Sequence, residues 1–355
     1  MSINETHTHE EDACCKTHNK KTIWYRSPFS WVLIGCGILT GVSYFWQPLS
    51  GYRSALENYV RMLWLPVTAG FFLGGLVDRF VPETYISKHL AEPGKKTVFY
   101  AVSLGFLMSS CCHGLVALAM ELHRKGASGA AVVSFLLASP WASLPVTLML
   151  IGLFGAKAFL IIFAALFMAV TTGIIFQGLD RAGLIERNRH TVRVETGFSI
   201  RKDVGRRVRG YHFSFAGLGS DLAGILRGTL SLAQMVSGWV FLGLVMASLS
   251  NAFIPTEWFH RFLGPSIPGL FGTLLFATVL EVCSEGTSPV AFEIYKQTHA
   301  FGNALVFLMG GVVTDYTEIG LIWQNIGPKT ALWVLIVTLP QVLLFGWLFN
   351  QFHFH

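Results

Sequence analysis

Two polar clusters interrupt apolar stretches of this 355-residue chain, and both contain cysteine. The first is Ser109–Gly114 and the second is Glu281–Glu285. Polar side chains at the centre of membrane-length apolar segments are costly, so they normally face a pathway or a partner. Thiolate and imidazole groups prefer soft or borderline species, such as trivalent arsenic, zinc, cadmium or copper, over hard cations. We therefore predict that one ligand site is formed by Cys111, Cys112, His113, Cys283 and Glu285.

The two clusters are copies of each other within an internal repeat. A single ungapped offset of 172 residues places Cys111 on Cys283 and Gly155 on Gly327, together with several further identical pairs. Such internal repeats are common in membrane transporters, where the two halves build one site at their interface. We expect each half to contribute one cluster to that site.

Two carboxylates in the second half add a possible proton function. Asp315 and Glu318 are three residues apart, so they share one face of a helix. Together with Glu285 they are predicted to line a polar cavity and to exchange protons against the substrate. Glu121, Glu293 and Asp78 stand beside basic or loop residues, and we interpret them as end-of-helix groups that reach towards water. These three residues are not part of the predicted site.

Composition assigns the chain to the membrane class. The sequence is 52% apolar and 13% charged, with a mean hydropathy of +0.53. The formal charge of +6 is concentrated in loops, which is typical of cytoplasmic connections and argues against a nucleic-acid surface. Six cysteines are too few for a disulfide scaffold. We see no cleavable signal peptide and no Gly-rich nucleotide loop, and we expect no cofactor.

The hydropathy pattern predicts an all-α polytopic membrane protein with about nine transmembrane helices. The expected spans are Trp31–Trp46, Met62–Val77, Val98–Glu121, Ala130–Phe154, Ala158–Leu179, Leu230–Phe253, Pro268–Ala291, Gly302–Trp323 and Thr330–Phe349. Amphipathic segments at Tyr52–Arg61 and Ser214–Arg227 are expected to lie at the interface. Span 3 should break at its Cys-Cys-His-Gly cluster and span 4 at Ser139-Pro140, because proline removes a backbone donor.

This pattern divides the chain into a polar tail (1–26), a first membrane half (27–180), a basic connection (181–213) and a second membrane half (214–355). Four spans separate equivalent positions, which predicts two parallel four-helix repeats after one extra N-terminal helix, with broken helices at the repeat interface. The nine Arg and Lys residues of the connection 180–210 place it inside the cell. The same count places the Lys-rich tail outside, against that rule, so either the tail is external or one early span does not cross.

The tail itself has a possible metal-capturing composition. Adjacent cysteines with nearby histidines can bind a soft or borderline metal, although disorder is the simpler interpretation of this stretch. The candidate ligands are His7, His9, Cys14, Cys15 and His18.

Several of these motifs also carry a family resemblance. The run Cys111-Cys-His-Gly114 with Phe135-Leu-Leu-Ala-Ser-Pro140, and the run Glu281-Val-Cys-Ser-Glu-Gly-Thr-Ser-Pro289 with Thr314-Asp-Tyr-Thr-Glu318, resemble the bacterial predicted-permease family that includes the organoarsenical efflux permease ArsP. The resemblance covers roughly Trp64–Asn350 and implies a membrane permease. Members typically show a Pro-x-Cys-Ser-Cys type motif at the first cluster, where this chain has Ser-Ser-Cys-Cys-His.

Residues and resemblance together predict a multi-pass permease of the inner membrane, not an enzyme, that exports a thiophilic metal or metalloid and is coupled to protons. Its expected partners are membrane lipid and the transported solute. Two alternatives remain open. One is a transmembrane thiol-disulfide relay, which explains the paired cysteines but leaves Asp315 and Glu318 without a role. The other is a permease for an organic or anionic solute.

Overall fold

The computed structural model describes residues 28–80, 95–107, 112–124, 126–186, 188, 215–280 and 283–352. This part of the chain is α-helical and contains no strand, which confirms the predicted all-α class. The α-helices are α1 Pro28–Ser43, α2 Ser50–Phe80, α3 Lys95–Leu107, α4 Cys112–Arg124, α5 Gly129–Ala142, α6 Leu144–Phe154, α7 Ala158–Arg181, α8 Phe215–Phe253, α9 Thr256–Leu263, α10 Ile267–Leu280, α11 Ser284–Thr298, α12 Phe301–Thr314, α13 Tyr316–Asn325 and α14 Pro328–Gln351.

Within the described ranges, five helical runs are long and apolar enough to cross a membrane, or six if the strongly bent pair α9 and α10 counts as one span. The protein is therefore a polytopic membrane protein. The predicted count of nine spans is not confirmed, since two of the expected spans have a different geometry.

The predicted span Pro268–Ala291 is a helical hairpin, which we call hairpin 2 (α10 and α11). Thr273 in α10 bonds to Asn303, and Thr278 bonds to Thr314, so α10 runs parallel to α12. A two-residue turn that includes His299, at φ 53°, joins α11 to α12 and makes α11 run the opposite way. The 14 residues of α10 extend only ~21 Å, which is less than the ~30 Å hydrocarbon core. Hairpin 2 therefore enters and leaves the membrane on one side.

The predicted span Val98–Glu121 has the same form, which we call hairpin 1 (α3 and α4). Gly173 of α7 lies against both Val98 and Ser134, and Gly105 lies against Ser139, so α3 and α5 are parallel. Helix α4 ends at Arg124, just before α5 begins at Gly129. Subtracting the offset of 172 from α10 and α11 gives residues 95–108 and 112–126, close to the observed bounds of α3 and α4. The repeat predicted from the sequence thus extends to the helix breaks.

The span after each hairpin is also interrupted at an equivalent position. The span α5–α6 breaks at Ser143, and the span α12–α13 breaks at Asp315. The break in the first of these was predicted at Ser139-Pro140 and is wrong by a few residues, because α5 accommodates Pro140 near its C-terminal end. After each span the chain turns at a glycine with positive φ, Gly155 at 60° and Gly327 at 146°.

The two repeats are inverted, and the predicted parallel arrangement is wrong. Equivalent helices α2 and α8 run antiparallel, because Gly51 contacts Ala252 while Gly75 contacts Thr229. Helices α7 and α14 are antiparallel as well, since Thr172 bonds to Gln341 and Glu186 bonds to the start of α14. The hairpins do not cross, so each repeat crosses three times, and an odd count turns the second repeat over. The two hairpins consequently enter from opposite sides.

The long helices α2 and α8 include both segments that were expected to lie at the interface. Tyr52 and Tyr59, within the predicted segment Tyr52–Arg61, are 0% and 3% exposed and pack inside the fold. The charged residues of this segment, Arg53, Glu57 and Arg61, recur every four residues and so share one face of α2. The amphipathic pattern of the segment therefore reflects packing of its buried face inside the protein.

Candidate functional site

The four helix interruptions lie at similar depth in the fold. The Thr278–Thr314 hydrogen bond of 2.9 Å brings the ends of α10 and α12 together, so Cys283 and Asp315 follow at nearly the same level. In the same way, the contact of Gly105 with Ser139 places the end of α3 close to the end of α5, just before Ser143. By the repeat, Cys111 is equivalent to Cys283, and Ser143 to Asp315. One helix begins immediately after each of these four positions.

One of the contacts between the two halves is the pair α6 and α11. Phe154 packs edge-on against Phe292, with ring centroids 5.3 Å apart, and Lys157 donates to Tyr295 Oη at 2.7 Å, in the same register. In both pairs the residue numbers differ by the same amount, so the two helices run in the same direction. The same pairing continued towards their N-termini places the start of α6 level with the start of α11. Helix N-termini carry unpaired N–H groups and partial positive charge, which favour an electron-rich ligand or an anion.

Cys283 and Glu285 form a buried polar pair at the tip of hairpin 2. Cys283 is the N-cap residue of α11 and Glu285 is in its first turn. Both side chains are buried, at 9% and 4% exposure. The Cys283 thiol donates to Glu285 Oε2, and the Ser284 hydroxyl donates to the same oxygen at 3.2 Å. Glu285 thus accepts two hydrogen bonds at the start of a helix, where the partial positive charge of the N-terminus favours an anionic group.

Asp315 has a structural task in the described contacts. Its Oδ1 accepts from the backbone N–H groups of Thr317 at 2.7 Å and Glu318 at 3.0 Å, and from the Thr317 hydroxyl at 2.5 Å. Asp315 thus caps α13 where the span is interrupted. Glu318 is buried at 8% exposure and lines a small cavity of about 10 Å³ between α5, α12, α13 and α14. No hydrogen bond between described residues joins Glu285 to either of these carboxylates.

The remaining predicted ligands are only partly within the described residues. Cys112 and His113 are in the first turn of α4, equivalent to the start of α11. Their side chains, and Cys111 as a whole, lie outside the described residues, as do His7, His9, Cys14, Cys15 and His18. Across the residues whose side chains are described, no group of three or more His, Cys, Asp or Glu is arranged to hold a metal ion.

One functional candidate was missed in the sequence. Glu293 was expected to reach towards water, yet it is fully buried at 0% exposure. Its carboxylate accepts from Tyr59 Oη of α2, from Asn251 Nδ2 of α8 at 2.7 Å and from Gln297 Nε2 at 2.6 Å. Its repeat equivalent Glu121 is exposed, as predicted. The only local signal was the Glu293–Gln297 spacing of one helical turn, which does not reveal the partners from other helices.

Comparison with known proteins identifies one family. The comparisons with curated proteins and with solved structures found no match. The sequence model of a family described as a predicted permease, ArsP_1, matches residues 54–351. The match begins in α2 and ends at the last residue of α14, so it contains both repeats and leaves out α1. The chain therefore belongs to this predicted-permease family.

Proposed function

We propose that this protein is a secondary permease of the inner membrane that exports a thiophilic metal or metalloid. The observation that carries the proposal is the buried Cys283–Glu285 pair at the tip of hairpin 2. A thiol that is hydrogen-bonded to a carboxylate inside a permease can act as a ligand, whereas a cysteine surrounded only by apolar side chains behaves as a small hydrophobic residue. Membership of a permease family supports transport in place of enzymatic catalysis.

The pair supports a defined binding step. When a soft cation such as Cd²⁺ binds, its bond to Cys283 Sγ replaces a bond to a water molecule, and the thiol proton passes to the Glu285 carboxylate. When arsenite binds as As(OH)₃, the new sulfur–arsenic bond replaces an arsenic–oxygen bond, and the hydroxide leaves as water with the thiol proton. A soft cation thus displaces one proton within the site for each sulfur–metal bond that forms, whereas arsenite displaces none. Cys111, Cys112 and His113 of hairpin 1 are proposed to supply further ligands, because the repeat gives them the equivalent place.

Proton coupling is proposed for Asp315 and Glu318. Both lie beside the interruption of the same span, and Glu318 is buried next to a cavity with room for about one water molecule. A proton released from the site could pass to such a group. The inverted repeats support alternating access, since hairpins that enter from opposite sides can open the same site to either face in turn.

The experiment that tests this function compares a strain lacking the gene with the same strain carrying the wild-type gene or the Glu285→Gln variant. Sensitivity to arsenite, antimonite, Cd²⁺ and Zn²⁺ is measured beside sensitivity to Mg²⁺, a hard cation. We expect the wild-type gene to restore tolerance to at least one thiophilic species and Glu285→Gln to fail. Unchanged tolerance to all four species in the deletion strain would contradict the proposed substrate class and favour an organic or anionic solute.

A further inference from the structure

A cavity of about 310 Å³ lies between α1, α2 and α8, and none of the proposed metal ligands lines it. Three charged side chains of α2 line this cavity, Arg53, Glu57 and Arg61, together with Thr40 and Tyr44 from the end of α1. The charged residues are spaced four apart, so one face of α2 supplies all three. Two arginines against one glutamate leave the cavity with a positive charge, which favours an anionic occupant.

The two arginine side chains have few partners within the protein. The guanidinium carbon of Arg53, a half-buried residue, lies 5.5 Å from the centroid of the Tyr44 ring. Glu57 accepts a long hydrogen bond of 3.5 Å from Tyr44 Oη. The Arg61 side chain is exposed, and among the described residues it has neither an ion pair nor a hydrogen bond. Its five N–H donors are therefore available to a ligand in the cavity.

Arg61 lies within the hydrocarbon layer of the membrane. The contacts between α2 and α8 place it level with Gly243, which in turn contacts Gly286. Gly286 is three residues after Cys283 in the sequence, so the Cα of Arg61 is only about 5 Å from the level of the helix interruptions. Because the repeats are inverted, that level is near the middle of the membrane, whose hydrocarbon core extends ~15 Å to each side. A charged side chain at this depth normally faces a partner or a polar cavity.

Towards the centre of the membrane the same face of α2 becomes apolar. Trp64, Leu65 and Phe72 are three, four and eleven residues after Arg61, so they lie on its side of the helix, and all three are exposed. In the other direction, the exposed Trp46 just beyond α1 marks the headgroup level, because tryptophan is enriched at the membrane–water interface. Cationic groups near the interface with apolar surface below them match the order of phosphate and acyl chains in a phospholipid.

We propose that this cavity binds an anionic phospholipid, whose phosphate is held by Arg53 and Arg61 and whose acyl chains lie along the exposed apolar face of α2. The phosphate supplies acceptors for the Arg61 donors, and the lipid fills the space between α1 and the α2–α8 pair. Glu57 opposes binding, because like charges repel. One wall of the site comes from α1, which the family match leaves out.

The test titrates the full-length protein in detergent with lipid and measures the dissociation constant of the first bound lipid by native mass spectrometry. The probe is phosphatidylglycerol. It is compared with zwitterionic phosphatidylethanolamine, with diacylglycerol, which has the chains but no phosphate, and with glycerol 3-phosphate, which has the phosphate but no chains. We expect phosphatidylglycerol to bind more tightly than phosphatidylethanolamine, and at least about tenfold more tightly than diacylglycerol or glycerol 3-phosphate.

Three variants test which side chains set this affinity. Arg61→Gln should weaken the binding of phosphatidylglycerol about fivefold, the usual contribution of one basic residue to the binding of anionic lipid. Glu57→Gln should strengthen it about fivefold, because the variant removes the opposing charge. The matched control Arg227→Gln removes the same charge as Arg61→Gln from an exposed position of α8 at the other end of the α2–α8 pair. This control should bind phosphatidylglycerol as the wild type does.

Equal affinities of Arg61→Gln and Arg227→Gln would overturn the proposal. Weaker binding by Glu57→Gln would overturn it as well, since the carboxylate would then hold a lipid ammonium group such as that of phosphatidylethanolamine. Glycerol 3-phosphate binding as tightly as phosphatidylglycerol would assign the cavity to a soluble phosphate compound and contradict the lipid. If Arg61→Gln does not fold, the direction of the Glu57→Gln effect decides the question alone. No transported substrate is used, so failure here is distinguishable from failure of the proposed permease function.

Discussion

Gly51 of α2 contacts Ala252 of α8, at opposite ends of two helices that the repeat makes equivalent. Together with the contact of Gly75 with Thr229, this contact requires the repeats to be inverted. If α1 also crosses the membrane, the inverted arrangement removes the conflict in the sequence-based topology. With hairpin 1 not crossing, one fewer span precedes the basic connection, and a crossing α1 begins on the same side as that connection. The Lys-rich residues before α1 then obey the positive-inside rule.

The C-terminus provides the sharpest test of this topology. Three crossings separate it from the basic connection 181–213, so it should lie outside, whereas four crossings would return it to the inside. We expect a C-terminal alkaline phosphatase fusion to be active and a C-terminal green fluorescent protein fusion to be dark. An inactive phosphatase with a bright fluorescent fusion would mean that hairpin 2 crosses the membrane.

The close approach of α8 to hairpin 2 predicts a strong effect of a single methyl group. Gly243→Ala would place its Cβ against the Gly286 carbonyl, which is backbone and cannot move aside alone. We expect a loss of about 1–3 kcal/mol of stability, the range for overpacking. Thermal unfolding in detergent measures it. Gly41→Ala in α1 has nothing within 4 Å of the new Cβ and is the matched control; equal melting temperatures for the two variants would contradict the packing.

A carboxylate outside the membrane predicts a pH-dependent contribution to stability. Burial acts to raise the pKa of Glu186, but hydrogen bonds from the Thr330 hydroxyl and from the backbone N–H groups of Lys329 and Thr330 outweigh it and lower that pKa below its usual value. A lowered folded-state pKa stabilises the fold above the unfolded-state pKa, and the gain is lost as the pH falls through the folded-state pKa.

Glu186→Gln should therefore lower the melting temperature at pH 7, by an amount corresponding to about 1 kcal/mol for a lost helix cap. The difference from wild type should shrink as the pH falls below the ordinary range of a glutamate. Glu257→Gln, at an exposed position on α9, is the control. A difference that stays constant from pH 7 to pH 3 would show that the charge of Glu186 is not involved.

How much of this could be predicted from the sequence depends on the interaction concerned. The all-α class and the repeat offset were predictable, because they follow from hydropathy and from identical residues at one spacing. Hairpins could not be distinguished from spans. Val98–Glu121 is as apolar and as long as a crossing helix, and only the packing of Gly105 against Ser139 and of Thr278 against Thr314 shows the reversal.

The candidate site shows the same division. Cys283 and Glu285 were found because they are polar residues in an apolar stretch, and the structure joins them by a hydrogen bond. Glu293 was missed because its burial depends on Tyr59, a residue 234 positions away in the sequence. The nearby Lys296 suggested from the sequence that Glu293 lies at the surface, but only the lysine side chain is exposed.

Because Asp315 caps α13, its charge and its structural role can be tested separately. Asparagine caps helices as well as aspartate does, so Asp315→Asn should keep the N-cap and the fold. If Asp315 carries protons, this variant should lose the response of transport to an imposed pH gradient. Asp315→Ala should in addition lose about 1 kcal/mol of stability. An Asn variant that transports normally and still responds to the gradient would make Asp315 a structural residue alone.

The most direct test of the account is substrate uptake through the Cys283 site. Inverted membrane vesicles that contain the protein are given a trivalent arsenical or Cd²⁺, with an imposed pH gradient, and accumulation is measured for wild type, Cys283→Ser and Cys36→Ser. Cys36 is a half-buried thiol of α1, outside the matched family region, and serves as the control. We predict that Cys283→Ser lowers the initial rate at least tenfold while Cys36→Ser accumulates the ion as the wild type does. Accumulation by Cys283→Ser at the wild-type rate would contradict the claim that this thiol binds the transported species.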